Sequence, residues 1–174
     1  REYVNNAVVS EWVSSGGSMV GEFEEKIAEY VGMPRAVACA SGTAGLHLAM
    51  LVAGIGAGCE VIAPTLTFIA AVNPVKYAGA KPVFVGCDES WCLDPKAVRA
   101  FCEEKCEKRG GKLVNRQSGA HVAALLVVHV FGNMADMPAL MALAKEFNLV
   151  LVEDATEALG TYYTDGAYKG KMAG

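Results

Sequence analysis

Two hydrophobic patterns alternate along this chain, and together they predict its secondary structure. Short runs of consecutive apolar residues are typical of buried strands, whereas apolar positions that recur every three or four residues predict helices. The runs predict strands over Ala36–Ala40, Glu60–Pro64, Lys81–Val85, Ala123–Val130 and Leu149–Glu153. The periodic segments predict helices over Tyr3–Val13, Val20–Val31, Ala44–Ala53, Thr65–Tyr77, Pro95–Lys108 and Met137–Phe147. The polar stretch Arg109–Ala120 is expected to be an exposed loop.

The order of these elements predicts an α/β fold. Strands that are apolar on both faces and joined by helices form a parallel sheet covered on both sides. We therefore expect a three-layer α/β/α domain with a mostly parallel sheet over 35–174, preceded by a helical segment over 1–34. Because such sheets bind ligands beyond the carboxyl ends of their strands, a functional site is expected there.

Composition and charge exclude several classes of partner. The 174 residues are 53% hydrophobic and 20% charged, which is typical of a folded domain and excludes a disordered chain. The formal charge is −4 and the 15 lysines and arginines are scattered, so neither nucleic acid nor a membrane surface is an expected partner. The apolar stretches are too short to span a bilayer and no secretory leader is visible, so a cytoplasmic location is expected.

The six cysteines allow two interpretations. Cys87, Cys92, Cys102 and Cys106 would be the ligands if the chain bound zinc, but the sequence has no Cys-x-x-Cys pair. The other two lie in or beside apolar segments, where a thiol behaves as a small hydrophobic side chain. Six reduced thiols and no metal are therefore expected.

The first predicted strand is followed by Ser41-Gly42-Thr43-Ala44-Gly45, which opens a helix. Glycine lets the backbone approach a ligand, the first N–H groups of a helix are free, and Thr43 adds a hydroxyl donor. These features suit a phosphate, although an ordinary helix cap would use the same residues. The pattern G-x-G-x-x-G is absent, which counts against a dinucleotide site.

Three other strand ends carry side chains that suit a planar, charged ligand. Phe68 follows the second strand and could cover a ring, though an aromatic at such a place is more often core. His129 lies at the end of the fourth strand, where a hydrogen-bonded core histidine is the commoner case. Asp154 follows the fifth strand and could hold a cationic ring nitrogen or a metal, or cap the next segment. A phosphate cradle, an aromatic ring and a carboxylate at one sheet edge together fit pyridoxal phosphate.

At these and other positions the sequence resembles the sugar aminotransferases of the DegT/DnrJ/EryC1/StrS family. The matching segments run in order along nearly the whole chain: Trp12–Gly17, Ala40–Leu48, Gly58–Ala70, Gly79–Val85, Leu93–Pro95, His129–Asn133 and Val152–Gly160. The resemblance implies the pyridoxal-phosphate-binding large domain of a fold-type I enzyme, incomplete in this chain. The closing Gly160-Thr161-Tyr162-Tyr163 resembles members that act on UDP-linked 4-keto sugars on the way to legionaminic or related acids.

The resemblance also implies roles for individual residues close to the cofactor. It assigns the phosphate-binding turn to Gly42, Thr43 and Ala44. It assigns the ring that stacks on the cofactor to Phe68, and the carboxylate that pairs with the pyridine nitrogen to Asp154.

Further implied roles concern the rest of the pocket. Glu157 stands near the cofactor's ring oxygen, where the family usually has Gln or His. His129 and Asn133 correspond to a segment that lines the pocket. A segment near the nucleotide-sugar entrance and the subunit contact corresponds to Ser15, Gly16 and Gly17.

The family's covalent lysine lies on a Ser-Phe-x-x-x-x-Lys segment, which the resemblance places beyond Gly174. The chain is therefore expected to be the first half of the enzyme and inactive by itself. For the complete enzyme the resemblance implies a homodimer that uses pyridoxal 5'-phosphate to transfer an amino group, from glutamate, to a nucleotide-linked keto sugar. Two alternatives stay open: a sugar dehydratase of the same family, with His at the lysine position, and a non-catalytic binding module.

The resemblance has one consequence for the sheet. In fold-type I enzymes the first strand pairs with strands that come later in the chain than the fifth. Ala36–Ala40 is thus expected either to stand apart from the sheet or to pair with another molecule, since its backbone groups would otherwise lack partners.

Overall fold

The computed structural model describes residues 1–14 and 16–174. Its strands form a six-stranded mixed sheet. Its strands are β1 (Cys59–Pro64), β2 (Lys81–Val85), β3 (Cys106–Arg109), β4 (Lys112–Asn115), β5 (His121–Val128) and β6 (Val150–Asp154). Strands β2, β1, β5 and β6 lie side by side in that order and run parallel. The antiparallel hairpin β3–β4 extends the sheet, because β4 pairs with the first two residues of β5.

Helices cover both faces of this sheet. The helices of this sheet domain are α3 (Gly42–Val52), α4 (Ile69–Tyr77), α5 (Pro95–Ala100) and α6 (Met137–Phe147), whereas α1 (Glu2–Val9) and α2 (Ser18–Val31) precede it in the chain. On one face α3 and α4 pack Met50 and Val75 in one cluster with the strand residues Val61 and Leu126. The buried residues of the other face come from α5, α6 and the sheet: Val98, Leu140, Phe147, Ile62 and Leu125. The predicted α/β class and mostly parallel sheet are confirmed.

Side-chain caps mark where α5 and α6 begin. Asp94 accepts a hydrogen bond from the N–H of Lys96 at 2.8 Å, and Pro95 occupies the first helical position of α5. Asp136 caps α6 in the same way through the N–H of Ala139 at 3.1 Å. The predicted start of α5 at Asp94-Pro95 is therefore confirmed.

The predicted end of the helix at Lys108 is wrong, and the predicted loop Arg109–Ala120 is wrong where Arg109 and Lys112–Asn115 form strands. After Ala100 the chain makes one π-helical turn, Phe101–Lys105, and then enters β3. Cys106 pairs with Asn115 across the hairpin, and both Cys106 and Leu113 are buried. Hydrogen bonds between the two strands and the burial of their apolar side chains replace the predicted last part of the helix.

The predicted first strand, Ala36–Ala40, is also wrong. In the structure this segment forms no strand, and the side chain of Val37 is 73% exposed. An extended segment forms a strand only when a neighbouring strand accepts its backbone hydrogen bonds.

The chain divides into two compact units, Arg1–Ala40 and Ser41–Gly174. The predicted division lay after residue 34. In the first unit α2 ends at Gly32, which adopts the left-handed conformation with φ of 72°. Glu22 on α2 accepts hydrogen bonds from Lys26 and from the hydroxyl of Tyr3 on α1. The second unit contains the whole sheet.

Two general features concern the chemistry of the chain over 1–14 and 16–174. No helix there is both long and apolar enough to cross a bilayer. All six cysteines are free thiols, and no group of three or more acidic, cysteine or histidine side chains is arranged to hold a metal ion.

Candidate active site

A cavity of about 200 Å³ lies at the carboxyl ends of β1, β5 and β6, on the face covered by α3 and α4. Its described lining consists of Gly42, Thr43, Leu46, Thr67, Phe68, Ala70, Ala71, Val128, Asp154, Thr156 and Glu157. The structure thus brings together five of the residues singled out by sequence. They come from segments far apart in the chain, and the parallel arrangement of the strands places them at one edge.

The first turn of α3 forms one end of this cavity. Ser41 caps the helix by accepting the N–H of Ala44 at 3.2 Å. The N–H groups of Gly42 and Thr43, the first two helical residues, have no intrahelical partner and lie at the positive end of the helix dipole. The Ser41 cap therefore leaves these two N–H groups available to an anion. Ala44 is not part of the described lining of the cavity, and its N–H is taken up by the cap.

Phe68 presents its aromatic ring beside this cradle. It precedes α4 in an extended conformation, with φ of −65° and ψ of 135°, and its side chain is 74% exposed. The exposure excludes the core role that an aromatic commonly has at a strand end. A ring in this position is free to cover one face of a planar ligand.

Asp154 is oriented by a neighbour that sequence reasoning missed. Its Oδ1 accepts hydrogen bonds from both the N–H of Thr156, at 3.1 Å, and the Thr156 hydroxyl, at 2.7 Å. Over the described residues Oδ2 makes no hydrogen bond, so it is available to a ligand in the cavity. A threonine two residues after an aspartate is a typical turn pattern, and this was the signal available in the sequence.

Glu157 lines the cavity but already has a backbone partner. Its Oε2 accepts the N–H of Phe131 at 2.7 Å. Phe131 belongs to the short 3-10 turn after β5 and has a left-handed φ of 56°. The carboxylate therefore holds this turn at the rim of the cavity.

His129 and Asn133, which the resemblance implied for the pocket lining, are placed elsewhere. His129 is completely buried and directs its ring to Glu153, with 2.7 Å between Nε2 and Oε1. Asn133 is exposed, and its carbonyl accepts the thiol of Cys92. Because side chains alternate along a strand, Val128 at the end of β5 faces the cavity and His129 faces away from it.

Opposing effects set the protonation of the His129–Glu153 pair. Burial acts to lower the pKa of His129, whereas hydrogen bonds with the side chains of Cys92 and Glu153 act to raise it. However, the N–H of Ala135 donates to Nδ1 at 3.0 Å, so a second ring proton would face another N–H. Nδ1 therefore stays unprotonated, and Nε2–H donates to Glu153.

Glu153 is the acceptor of this pair and is ionised. Burial acts to raise the pKa of Glu153, but the hydrogen bonds from His129 and from the N–H of Gly174 outweigh it and hold the pKa below its ordinary value. Gly174 donates to Oε1 at 2.8 Å. The carboxylate thus joins the segment after β5, strand β6 and Gly174.

The remaining predicted residues belong to the N-terminal unit. Ser15 lies outside the described residues. Gly17 precedes α2 as its cap, and a Cβ placed on Gly16 would lie 2.7 Å from the ring of Trp12. Their role at a substrate entrance stays a prediction. Among the described residues that line the cavity none is a lysine.

Together these observations define an α/β protein with a cavity at the carboxyl ends of its parallel strands, and the lining of this cavity suits an anionic ligand that carries a ring. The sequence profile of the DegT/DnrJ/EryC1/StrS aminotransferase family matches residues 1–174. A GDP-perosamine synthase of Escherichia coli O157:H7 is 39% identical over 175 residues, which cover all of this chain and 42% of that protein. The chain belongs to the DegT/DnrJ/EryC1/StrS aminotransferase family.

Solved structures agree with this assignment. The crystal structure of a DegT DnrJ EryC1 StrS aminotransferase from Brucella abortus is 30% identical with a TM-score of 0.84, covering 97% of this chain and 42% of that one. The ntda protein of Bacillus subtilis, solved with bound cofactor PMP, is 25% identical with a TM-score of 0.70 and covers 89% and 32%. The chain thus spans less than half the length of the relatives it matches.

Proposed function

We propose that this chain forms the cofactor-holding part of a pyridoxal-phosphate-dependent aminotransferase that acts on a nucleotide-linked keto sugar. The observation that carries the proposal is the meeting of Thr43, Phe68 and Asp154 in one cavity. Membership of the aminotransferase family supports it, as does the bound PMP of the Bacillus subtilis relative.

The residues of the cavity match the chemistry of pyridoxal phosphate. The N–H groups of Gly42 and Thr43, with the Thr43 hydroxyl, suit a phosphate at a helix N-terminus. The exposed ring of Phe68 suits a flat aromatic ring, and Oδ2 of Asp154 suits a protonated ring nitrogen. The group therefore fits the described residues.

When bound, pyridoxal phosphate supplies an electron sink for the carbon at which the amino group is exchanged. Asp154 maintains the proton on the ring nitrogen, because a neighbouring carboxylate favours the cationic form of the ring. Thr156 fixes the orientation of the Asp154 carboxylate through its two hydrogen bonds to Oδ1. Phe68 excludes water from one face of the ring.

The proposed substrate and assembly are supported by family membership and not by the cavity. The Escherichia coli relative is named for a GDP-linked sugar, which supports a nucleotide-linked sugar as the acceptor here. We extend the proposal to glutamate as the amino donor, a homodimer as the working form and the cytoplasm as the location. The likeness of Gly160–Tyr163 to members of the legionaminic acid type favours a UDP-linked 4-keto sugar.

Cofactor binding is tested by titrating the chain with pyridoxal phosphate and following its absorbance. We expect Phe68→Ala to weaken binding about two- to tenfold, since stacking contributes about 0.5–1.5 kcal/mol. Phe84→Ala is its matched control, because Phe84 is also exposed but lies on β2, away from the cavity. Asp154→Asn should weaken binding about tenfold or more, whereas Asp165→Asn should not. Equal effects of a variant and its control would contradict the proposed site.

Activity is tested in a longer protein that contains this sequence. With glutamate and a nucleotide-linked keto sugar it is expected to produce 2-oxoglutarate and an amino sugar, and Asp154→Ala is expected to abolish this. Loss of water from the sugar without 2-oxoglutarate would indicate the dehydratase instead. A protein that binds no pyridoxal phosphate would indicate a non-catalytic module.

A further inference from the structure

His129 makes three contacts at the carboxyl ends of β5 and β6. Its Nε2 lies 2.7 Å from Oε1 of Glu153, and its Nδ1 accepts the N–H of Ala135 at 3.0 Å. Its own backbone N–H donates to the carbonyl of Asp154 at 3.1 Å. One completely buried residue therefore holds the side chain of Glu153 and the main chain of Asp154.

Glu153 and Asp154 project from opposite faces of the sheet, because they are consecutive residues of one strand. Asp154 shares its face with Val152, which packs with the α3–α4 cluster, and it lines the cavity. Glu153 shares its face with Leu151, which packs with the cluster of α5 and α6. His129 thus holds Glu153 on the face of the sheet opposite the cavity. This contact fixes the end of β6, where Asp154 lines the cavity.

We propose that His129 and Glu153 are positioning residues, which set Asp154 against the ring nitrogen of bound pyridoxal phosphate without touching the ligand. The proposal rests on the proposed function of the cavity. His129 was predicted to line the pocket. In this proposal it instead supports Glu153 and Asp154 from the face of the sheet opposite the cavity. Protonation of the pyridine nitrogen of the ligand depends on a short contact with the Asp154 carboxylate. If this carboxylate is displaced, the pyridine nitrogen is less protonated.

The test measures the protonation of the ring nitrogen directly. Pyridoxal phosphate labelled with ¹⁵N at the ring is added to the chain at saturating concentration, and its ¹⁵N chemical shift is followed against pH. His129→Gln keeps an N–H donor where Nε2 stood, whereas His129→Asn keeps only the acceptor for Ala135. We expect His129→Asn to lower the pKa of the bound ring nitrogen by about one unit, a tenfold loss of protonation. His129→Gln should stay within about threefold of the wild type.

Variants of Glu153 separate position from charge and provide a second route if His129→Asn does not fold. Glu153→Gln removes the charge but keeps an acceptor for His129, so it should behave as the wild type. Glu153→Ala removes the acceptor and should lower the ring-nitrogen pKa as His129→Asn does. A fall with Glu153→Gln as large as with Glu153→Ala would overturn positioning in favour of a plain charge effect.

Two references decide what a negative result means. Thermal unfolding is recorded for every variant, because a merely structural role would lower the melting temperature and leave the ring-nitrogen pKa unchanged. Asp154→Asn removes the carboxylate itself, so it gives the full fall in the ring-nitrogen pKa with which the other variants are compared. If Asp154→Asn has its effect while His129→Asn and Glu153→Ala have none, positioning is overturned and the proposed function stands. If Asp154→Asn has no effect, the proposed function of the cavity fails first.

Discussion

The carboxylate of Glu157 accepts the backbone N–H of Phe131 at 2.7 Å, and so joins the cavity to the turn that follows β5. Phe131 and Gly132 both adopt left-handed backbone conformations, with φ of 56° and 81°. A residue other than glycine in this conformation costs about 1–2 kcal/mol, which other contacts have to offset. Glu157 therefore stabilises a strained turn in addition to any contact it makes with a ligand.

Replacing Glu157 should loosen this turn. We expect Glu157→Ala to lower the free energy of unfolding by about 1 kcal/mol, because the Phe131 N–H loses its acceptor and water replaces it only in part. Glu157→Gln keeps an acceptor and should have a smaller effect. Urea denaturation measures both, with Glu89→Ala as an exposed control, and chymotrypsin should cleave after Phe131 faster in Glu157→Ala. Equal stability of all three variants would contradict this role.

Gly132 is expected to resist substitution more strongly than other glycines of positive φ. A Cβ at Gly132 would lie 3.2 Å from the carbonyl oxygen of Glu157, and its φ is 81°. Gly166 has a φ of 69° but open space around it, so it is the matched control. Gly132→Ala should cost about 2 kcal/mol and Gly166→Ala about 1 kcal/mol, measured by thermal unfolding. The same loss in both would show that the contact with Glu157 is unimportant.

Glu153 should contribute stability that depends on pH. Its pKa is lowered in the folded chain, so the contribution is present above its ordinary pKa of 4.5 and is lost as the pH falls through the lowered value. We expect the stability difference between wild type and Glu153→Gln to be constant from pH 6 to 7 and to shrink at pH 3.5. Urea midpoints at these pH values measure it. A constant difference down to pH 3.5 would contradict the lowered pKa.

The thiols should differ widely in reactivity. Burial raises the pKa of Cys102 to about 12 and that of Cys106 to about 11, so the reactive thiolate is scarce at neutral pH. Cys39 is exposed. At pH 8 iodoacetamide should modify Cys39 in the native chain and spare Cys102 and Cys106, as read by peptide mass mapping. In urea all three of these cysteines should react. Modification of Cys102 in the native chain at the same rate as Cys39 would refute the prediction.

No lysine of this chain should become the covalent anchor of pyridoxal phosphate. The described lining of the cavity contains no lysine, and neither Lys169 nor Lys171 is part of it. After incubation with pyridoxal phosphate and reduction with borohydride, the intact mass should show no stoichiometric adduct at a single lysine. A one-to-one adduct on one residue would place the anchor within this chain.

The local hydrophobic pattern was sufficient to predict the bounds of elements that depend on local interactions or that lie beside strongly apolar neighbours. β2 (Lys81–Val85) and α6 (Met137–Phe147) have the predicted bounds. The end of α5 could not be predicted, because Cys106 belongs to a strand only through its pairing with Asn115 on the next strand. Ala36–Ala40 has the composition of a strand and forms none, which shows the same dependence on a neighbour.

The sequence by itself determined the α/β class and the residues placed at the strand ends, because hydrophobic periodicity and helix caps are written in consecutive positions. Gly42, Phe68 and Asp154 could be picked out for this reason, and the parallel sheet then brings them into one cavity. Only the tertiary structure decided that His129 faces Glu153 and that Glu157 holds Phe131. The direction of a side chain at the end of a strand depends on sheet pleat and on partners distant in sequence, and neither is a property of the local segment.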